Sequence, residues 1–436
     1  MTESAQTGTR VIQVDALARV EGEGALYLKV KDGAIEDLKF RIYEPPRFFE
    51  ALLEGRDFSD APDITARICG ICPMAYLLSA CQAMEDAAGV SVTGPLRDLR
   101  RLAYCGEWIE SHVLHAFLLH APDFLGHQDA IALAKDHPEA VRKALALKKA
   151  GNAILEVIGG RAVHPVNFRV GGLHSVPRRS AIEGLEAMLA SSLETAIELT
   201  RFTAGLTFPD FEDDYLSVSL RHPDEYAIHE GRIVSSAGLD IPVSAFEEHF
   251  TEEHVDHSNA LQGLSKTSAT PYLVGPVARY NNNQDQLSPL ARELAAEIGL
   301  GEQVTNPFRS IQVRMIETVY AFEEALRLVR AYEEPEVAAV PVQPKSTRGA
   351  GCTEAPRGIC YHSYDLDAEG RILTARIVPP TSQNQRRIER DLRGVAERHL
   401  SLPDAELQWV CEQAIRNYDP CISCATHFLK LTVERV

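Results

Sequence analysis

The chain has 436 residues, 45% of them hydrophobic and 24% charged, an ordinary globular composition that excludes a disordered or fibrous class. A formal net charge of −18 repels a phosphate backbone and so excludes a nucleic-acid binder held by counterion release. No apolar run reaches the ~18 residues of a membrane-spanning helix, and the opening Met-Thr-Glu-Ser-Ala-Gln-Thr-Gly has neither the basic nor the apolar part of a signal peptide, so no membrane span and a cytoplasmic location are expected.

Residues 11–43 alternate apolar and polar side chains, as in Ala25-Leu26-Tyr27-Leu28-Lys29-Val30 and Leu38-Lys39-Phe40-Arg41-Ile42-Tyr43. With the turn Lys31-Asp32-Gly33 between them, they predict a small antiparallel sheet. Arg19-Val20-Glu21-Gly22 stands just before these runs and Pro46-Arg47-Phe48-Phe49-Glu50 just after, and local context alone reads both glutamates as solvated. Next comes Arg67-Ile68-Cys69-Gly70-Ile71-Cys72-Pro73, a Cys-x-x-Cys pair. Pro73 opens a predicted helix, Met74 to Ala88, so Cys72 lies at a helix N-terminus, where free N–H groups favour a thiolate.

A helical pattern from Leu96 to about Leu119 ends in Glu110-Ser111-His112, His115 and His120-Ala121-Pro122-Asp123. Hydrogen bonding in a buried polar seam outranks a metal role for these histidines. A helix over 138–157 runs into Gly159-Gly160-Arg161-Ala162-Val163-His164-Pro165, with no phosphate-loop pattern. Long amphipathic helices are predicted over 177–206 and 306–334, and such helices pack as a central bundle. The intervening residues 208–285 show short strand-like runs and no assignable chemistry.

Gly351-Cys352-Thr353-Glu354-Ala355-Pro356-Arg357-Gly358 leads into two strand-like runs, 359–366 and 371–378, then Pro379-Pro380-Thr381-Ser382-Gln383-Asn384 and helices over about 384–400 and 404–416. Asp419-Pro420-Cys421-Ile422-Ser423-Cys424-Ala425-Thr426-His427 brings a second Cys-x-x-Cys pair, and a residue before proline is expected to be extended. The fold class is therefore α+β and mainly α, a long central helix bundle with small peripheral antiparallel sheets.

Two such pairs can converge four thiolates on a soft or borderline cation. Structural zinc uses the same ligands, but its knuckles usually stand ~15–20 residues apart, whereas Cys72 and Cys421 are separated by most of the chain. Nine cysteines, an odd number, argue against a disulfide framework. Cys81, Cys105, Cys352, Cys360 and Cys411 read as small buried hydrophobes.

Arg-Ile-Cys-Gly-Ile-Cys-Pro near one end and Asp-Pro-Cys-Ile-Ser-Cys-Ala-Thr-His near the other resemble the two signature motifs of the nickel-iron hydrogenase large subunit. The resemblance implies an enzyme that cleaves H2 reversibly and heterolytically at a nickel-iron centre whose iron carries carbon monoxide and cyanide. It makes Cys69 and Cys421 terminal nickel ligands, and Cys72 and Cys424 bridges between nickel and iron. Arg-Val-Glu-Gly matches the family motif whose carboxylate exchanges protons with a nickel-bound cysteine, here Glu21 with Cys421. Glu50, nineteen residues before Cys69, matches a ligand of a magnesium-like ion (magnesium or iron) that His427 also holds.

By the same resemblance Arg357, in Glu-Ala-Pro-Arg-Gly, overhangs the metals and pairs with Asp419, while Asp123 is the acidic residue near that arginine. Thr381 belongs to the loop that hydrogen-bonds a cyanide, and His164 to a segment facing a small subunit. The implied fold is the large-subunit fold over residues 1–427 as one domain, with 428–436 a tail removed by a maturation endopeptidase after nickel-insertion factors have acted. With four cysteines committed, no further cysteine cluster can hold an iron-sulfur centre, so electrons need an iron-sulfur small subunit. The chain looks most like the cytosolic bidirectional class, linked to NAD(P) through flavin and iron-sulfur diaphorase subunits. Its rivals are a hydrogen sensor, a structural zinc protein and a nickel-free electron-transfer scaffold related to the respiratory-complex quinone-binding subunit.

Overall fold

The computed structural model describes residues 8–426. Four long helices, Gly94–Val113, Pro138–Gly159, Glu186–Ala204 and Ser310–Arg330, pack in a closed square in which each touches the next. The Ser310 helix is buried on nearly every side, including the polar Gln312, Arg314, Glu317 and Thr318. A helix apolar on one stripe would sit at the rim, whereas one buried all round belongs at the centre.

Gly106 and Gly151 meet where the first two helices cross. A Cβ on Gly151 would lie 2.7 Å from the Gly106 carbonyl oxygen and 2.9 Å from the Glu110 backbone nitrogen, neither of which can swing aside. Gly151→Ala should therefore destabilise the protein by about 1–3 kcal/mol, the usual cost of overpacking, read as a lower thermal midpoint.

The helix predicted from Leu96 to about Leu119 is α-helical only to Val113 and continues as a π-helix over Leu114–His120. Leu114, Phe117 and Leu118 keep a helix-like spacing of apolar residues, so the widened turn leaves no mark on the periodicity. The Pro380–Arg398 helix starts earlier than the expected position 384, because Pro380 takes the first-turn site where proline is favoured.

The expected N-terminal sheet is an antiparallel meander of Thr9–Val14, Gly24–Lys31 and Ala34–Ile42. Its hairpin turns on Asp32 (φ 49) and Gly33 (φ 78), the paired left-handed conformations of a tight two-residue turn. A second meander, Arg348–Ala355, Gly358–Leu366 and Ile372–Val378, lies against the Pro73–Ala88 helix. Residues 208–285 hold small sheets with their own apolar cluster, including Val218, Leu220, Ile233 and Phe246, and a helix, Pro276–Asn283, with no clear signal in the sequence. Among the described residues no helix is long and apolar enough to cross a membrane. The architecture is α+β and mainly helical, with the sheets peripheral to the bundle.

Candidate metal centre

Cys69 follows a 3-10 turn, Ala66–Ile68, in extended conformation, and Cys72 caps the Pro73 helix. Their partners arrive from the other end of the chain. Ile422 N–H donates to the Glu21 carbonyl at 2.9 Å, a bridge that lays the Cys421 segment beside the Arg19–Gly22 loop. Gly22 is needed there: its φ is +86°, and a Cβ would lie 2.6 Å from Glu44 Oε2 and 2.7 Å from Ile422 Cβ. Cys424 sits in the single turn Ile422–Ala425.

The four sulfurs all lie within 4.8 Å of one another, fully buried. Cys69 Sγ is 3.4 Å from Cys421 Sγ, Cys72 Sγ 3.6 Å from Cys424 Sγ, and Cys421 Sγ 2.8 Å from Cys424 Sγ. Burial pushes the Cys421 and Cys424 thiols up, while hydrogen bonding to Cys421 draws the Cys69 thiol down. Four thiolates cannot all be charged in so dry a space without a compensating cation. The donor set therefore fits a soft or borderline metal. Among the described residues it is the one group of three or more potential ligands gathered this closely.

Sulfurs alone would also suit zinc, but what surrounds them would be superfluous in a structural zinc site. Glu21 Oε2 accepts from Cys421 Sγ at 3.1 Å and from the Ser423 N–H at 3.1 Å. Arg357, 2% exposed, donates from Nε to the Asp419 carbonyl at 2.8 Å and from Nη2 to Asp419 Oδ1 at 3.0 Å. Burial alone would lower its pKa, but Asp419 and then the cluster thiols raise it, so the guanidinium remains charged over the sulfurs. Thr381 Oγ1 accepts from the Cys421 N–H at 3.0 Å, which ties the start of the Pro380 helix to the ligand backbone.

One expectation needs correction. Asp419 is not extended: its φ is 52°, and its N–H donates to the Arg416 carbonyl at 3.0 Å, a left-handed ending to the Asp404–Arg416 helix that outweighs the preference set by Pro420. Asp123, expected near Arg357, has its carboxylate bonded to two other arginines. Its carboxylate takes Arg19 Nη2 at 2.6 Å and both Arg416 Nε and Nη2 at 2.7 and 2.8 Å. Ser111, on the Gly94–Val113 helix before the π-helical stretch, meets Arg357 Nη1 at 3.4 Å.

Glu50 is half-buried and accepts from the Ile377 N–H at 2.7 Å. His427 and the tail after it lie outside the described residues. His164 Nδ1 is bonded to the Ala66 carbonyl at 2.7 Å, just before the first cysteine. His112 meets Glu317 Oε2 at 2.9 Å, and His115 and His120 are bonded to Arg416 and Asn417, so the three histidines form a hydrogen-bonded seam. The five remaining cysteines are free and buried.

Three carboxylates near the sulfurs carried no sequence signal. Glu44 Oε2 accepts from Ser423 Oγ at 3.1 Å. Glu107 accepts the Met74 N–H at 2.6 Å and the Ala75 N–H at 3.3 Å at the start of the Cys72-capped helix, and burial holds its pKa well above the ordinary value. Glu110 pairs with Lys148 at 2.9 Å, yet burial still raises it from 4.5 to about 7. Helical spacing could have put Glu107 and Glu110 on one face, but nothing in the sequence said which face was dry.

Glu110 has a consequence for stability. Between about pH 4.5 and about pH 7 the folded chain keeps a proton that the unfolded chain has released, so stability falls as pH rises through that window. The thermal midpoint should decline across it, and the decline should be smaller in Glu110→Gln.

Comparison with known proteins bears on the whole chain. A family model described as nickel-dependent hydrogenase matches residues 47–143 and 266–427. Sulfhydrogenase 1 subunit alpha of Pyrococcus furiosus is 32% identical over 428 residues, which cover 96% of this chain and 98% of that protein. The NAD-reducing hydrogenase HoxS subunit beta of Cupriavidus necator is 28% identical over 474 residues, with 97% and 95% covered. Among solved structures, an NAD+-reducing [NiFe]-hydrogenase in the H2-reduced state superposes with a TM-score of 0.87 at 25% identity, covering 96% of this chain and 99% of that one. The Ni-Fe-Se hydrogenase from D. vulgaris Hildenborough shares the fold, with a TM-score of 0.79 at 22% identity over 96% and 100% of the two chains. With its paired cysteines gathered into one buried cluster, this chain belongs to the nickel-dependent hydrogenase family, as a catalytic large subunit.

Proposed function

We propose that the four cysteines hold a nickel-iron centre with carbon monoxide and cyanide on iron, at which H2 is converted reversibly to two protons and two electrons. The observation that carries the reading is a carboxylate, Glu21, in hydrogen-bond contact with one sulfur of a buried four-sulfur cluster. When bound, the centre supplies the electron-accepting site for heterolytic cleavage. Cys421 Sγ is the base that takes the proton, and Glu21 Oε2 receives it from sulfur across the 3.1 Å contact. The Ser423 N–H aims that oxygen at the sulfur. Arg357 sets a fixed positive charge over the cluster in a site with little water, where such a charge acts strongly. Asp419 fixes the guanidinium plane, with Arg314 Nη1 3.6 Å from its other oxygen.

Electrons leave through an iron-sulfur small subunit, because the described residues hold no second cysteine cluster. The resemblance to NAD-reducing relatives supports passage to NAD(P) through flavin-bearing diaphorase subunits in the cytoplasm, and the sulfhydrogenase relatives make sulfur compounds the competing acceptor. Glu50 and His427 hold the magnesium-like ion, and residues 428–436 are the tail removed once the centre is loaded. The purified complex should contain nickel and iron and reduce NAD or NADP under H2. Infrared spectra under H2 and under argon should show bands of metal-bound carbon monoxide and cyanide; a nickel-free complex without them would overturn the assignment. H2-dependent reduction of polysulfide without NAD(P) reduction would replace the acceptor alone.

A further inference from the structure

The seam of histidines beside the cluster does more than fill space. His115 Nε2 is 2.8 Å from the Arg416 carbonyl oxygen, and His120 Nε2 is 3.0 Å from Asn417 Oδ1. Both imidazoles are buried, with ring centroids 4.8 Å apart. A carbonyl oxygen only accepts, so His115 donates from Nε2. Burial holds His115 well below its ordinary pKa and His120 at about 3, which leaves each ring neutral with a single proton.

Residues five apart on an α-helix diverge by about 140°, at about 100° per residue. They could not both face one turn. The π-helix Leu114–His120 closes between residues five apart, and so brings positions 115 and 120 onto one side. The turn they meet, Arg416 to Asp419, is held at each of its residues. Ser310 Oγ donates to the Asn417 carbonyl at 2.8 Å, Tyr418 Oη donates to Asp391, and Asp419 N–H donates to the same Arg416 carbonyl that His115 engages. Its last residue is Asp419, in the left-handed conformation that aims its carboxylate at Arg357 two residues before Cys421.

We propose that the π-helical stretch is a positioning device: by setting His115 and His120 side by side against the Arg416–Asp419 turn, it fixes the Asp419 carboxylate against Arg357. The two histidines are positioning residues, and what they position matters to catalysis only if the hydrogenase reading of Arg357 holds.

The test uses the purified complex carrying His115→Phe or His120→Phe, which keep ring volume but lose the N–H, with His115→Gln and His120→Gln, whose amide N–H reaches the same place. Backbone hydrogen exchange by mass spectrometry should show faster exchange at Tyr418 and Asp419 in the Phe variants, with the four bundle helices unchanged. The kcat for H2 oxidation per bound nickel should fall on the order of 10- to 100-fold at unchanged KM, the scale expected when a catalytic group is misplaced by about 1 Å. The Gln variants should recover both. Unchanged exchange at 418–419 in the Phe variants, exchange raised equally through the bundle, or Gln variants no better than Phe would each overturn the proposal. Because exchange is read on the chain itself, it decides the clamp even in protein without nickel, separately from any failure of the hydrogenase reading.

Discussion

Glu21→Gln should lower H2 oxidation by about 10²–10⁴-fold, the usual contribution of a positioned acid–base group, while nickel content stays at the wild-type level. Glutamine is nearly the same shape as glutamate, and its carbonyl oxygen can still accept from the Ser423 N–H that orients the native side chain at 3.1 Å. The Glu21 carbonyl likewise keeps its bond from Ile422 N–H, so the two ends of the chain stay joined. What the amide cannot do is take a proton from Cys421 Sγ and pass it on. Incorporation of deuterium from D2O into H2 should fall in step with turnover, because both need that transfer. Glu21→Asp keeps the acid but shortens the reach, and should fall between the two. A Glu21→Gln enzyme within about twofold of wild type would remove Glu21 from the proton route.

Cys421→Ser should abolish both activity and stable nickel binding. Cys421 Sγ has Cys69, Cys424 and Glu21 all within hydrogen-bonding reach. Serine is smaller and harder, and its hydroxyl stays protonated where a thiol would ionise, so it is a poor substitute toward a borderline cation. Removing even an outer-shell partner of a metal typically costs about 10–100-fold in affinity, and the loss of a direct ligand should exceed that. Nickel retained after gel filtration should therefore fall below about one-tenth of wild type. Cys105→Ala supplies the contrast. That thiol is buried between helices, away from the cluster, and its pKa is raised by burial, so its loss should lower the thermal midpoint and leave nickel in place. Equal nickel loss in both variants would point to misfolding rather than to ligation.

The parts of the site that the sequence made legible are those whose chemistry is tied to a short local pattern. Cys69 with Cys72, and Cys421 with Cys424, declare themselves by spacing, and Pro73 after Cys72 predicts the helix start that the structure has. Glu21 and Arg357 look ordinary in isolation. Only the family motif around each singled them out, and their nearness to the sulfurs is a matter of tertiary structure. Asp123 has partners that its local sequence context does not reveal. It lies beyond the π-helix, where its carboxylate pairs with Arg19 and Arg416, while Ser111, before the widened turn, touches Arg357. One added residue in a helical turn shifts every later side chain to a new direction without disturbing the apolar spacing. Glu107, Glu110 and Glu44 were illegible for another reason, since a carboxylate takes on unusual behaviour only when burial or a particular donor makes it do so.

The contact between Glu21 and Cys421 joins residues 400 positions apart. During synthesis the Arg19–Gly22 loop and the first cysteine pair leave the ribosome long before residues 421 and 424 exist. Through most of translation, then, Cys69 and Cys72 are a dithiol without a counterpart, open to oxidants and to any stray thiophilic ion. A cation that needs all four sulfurs can be held only after residues 421 and 424 have been made and folded back onto the first pair.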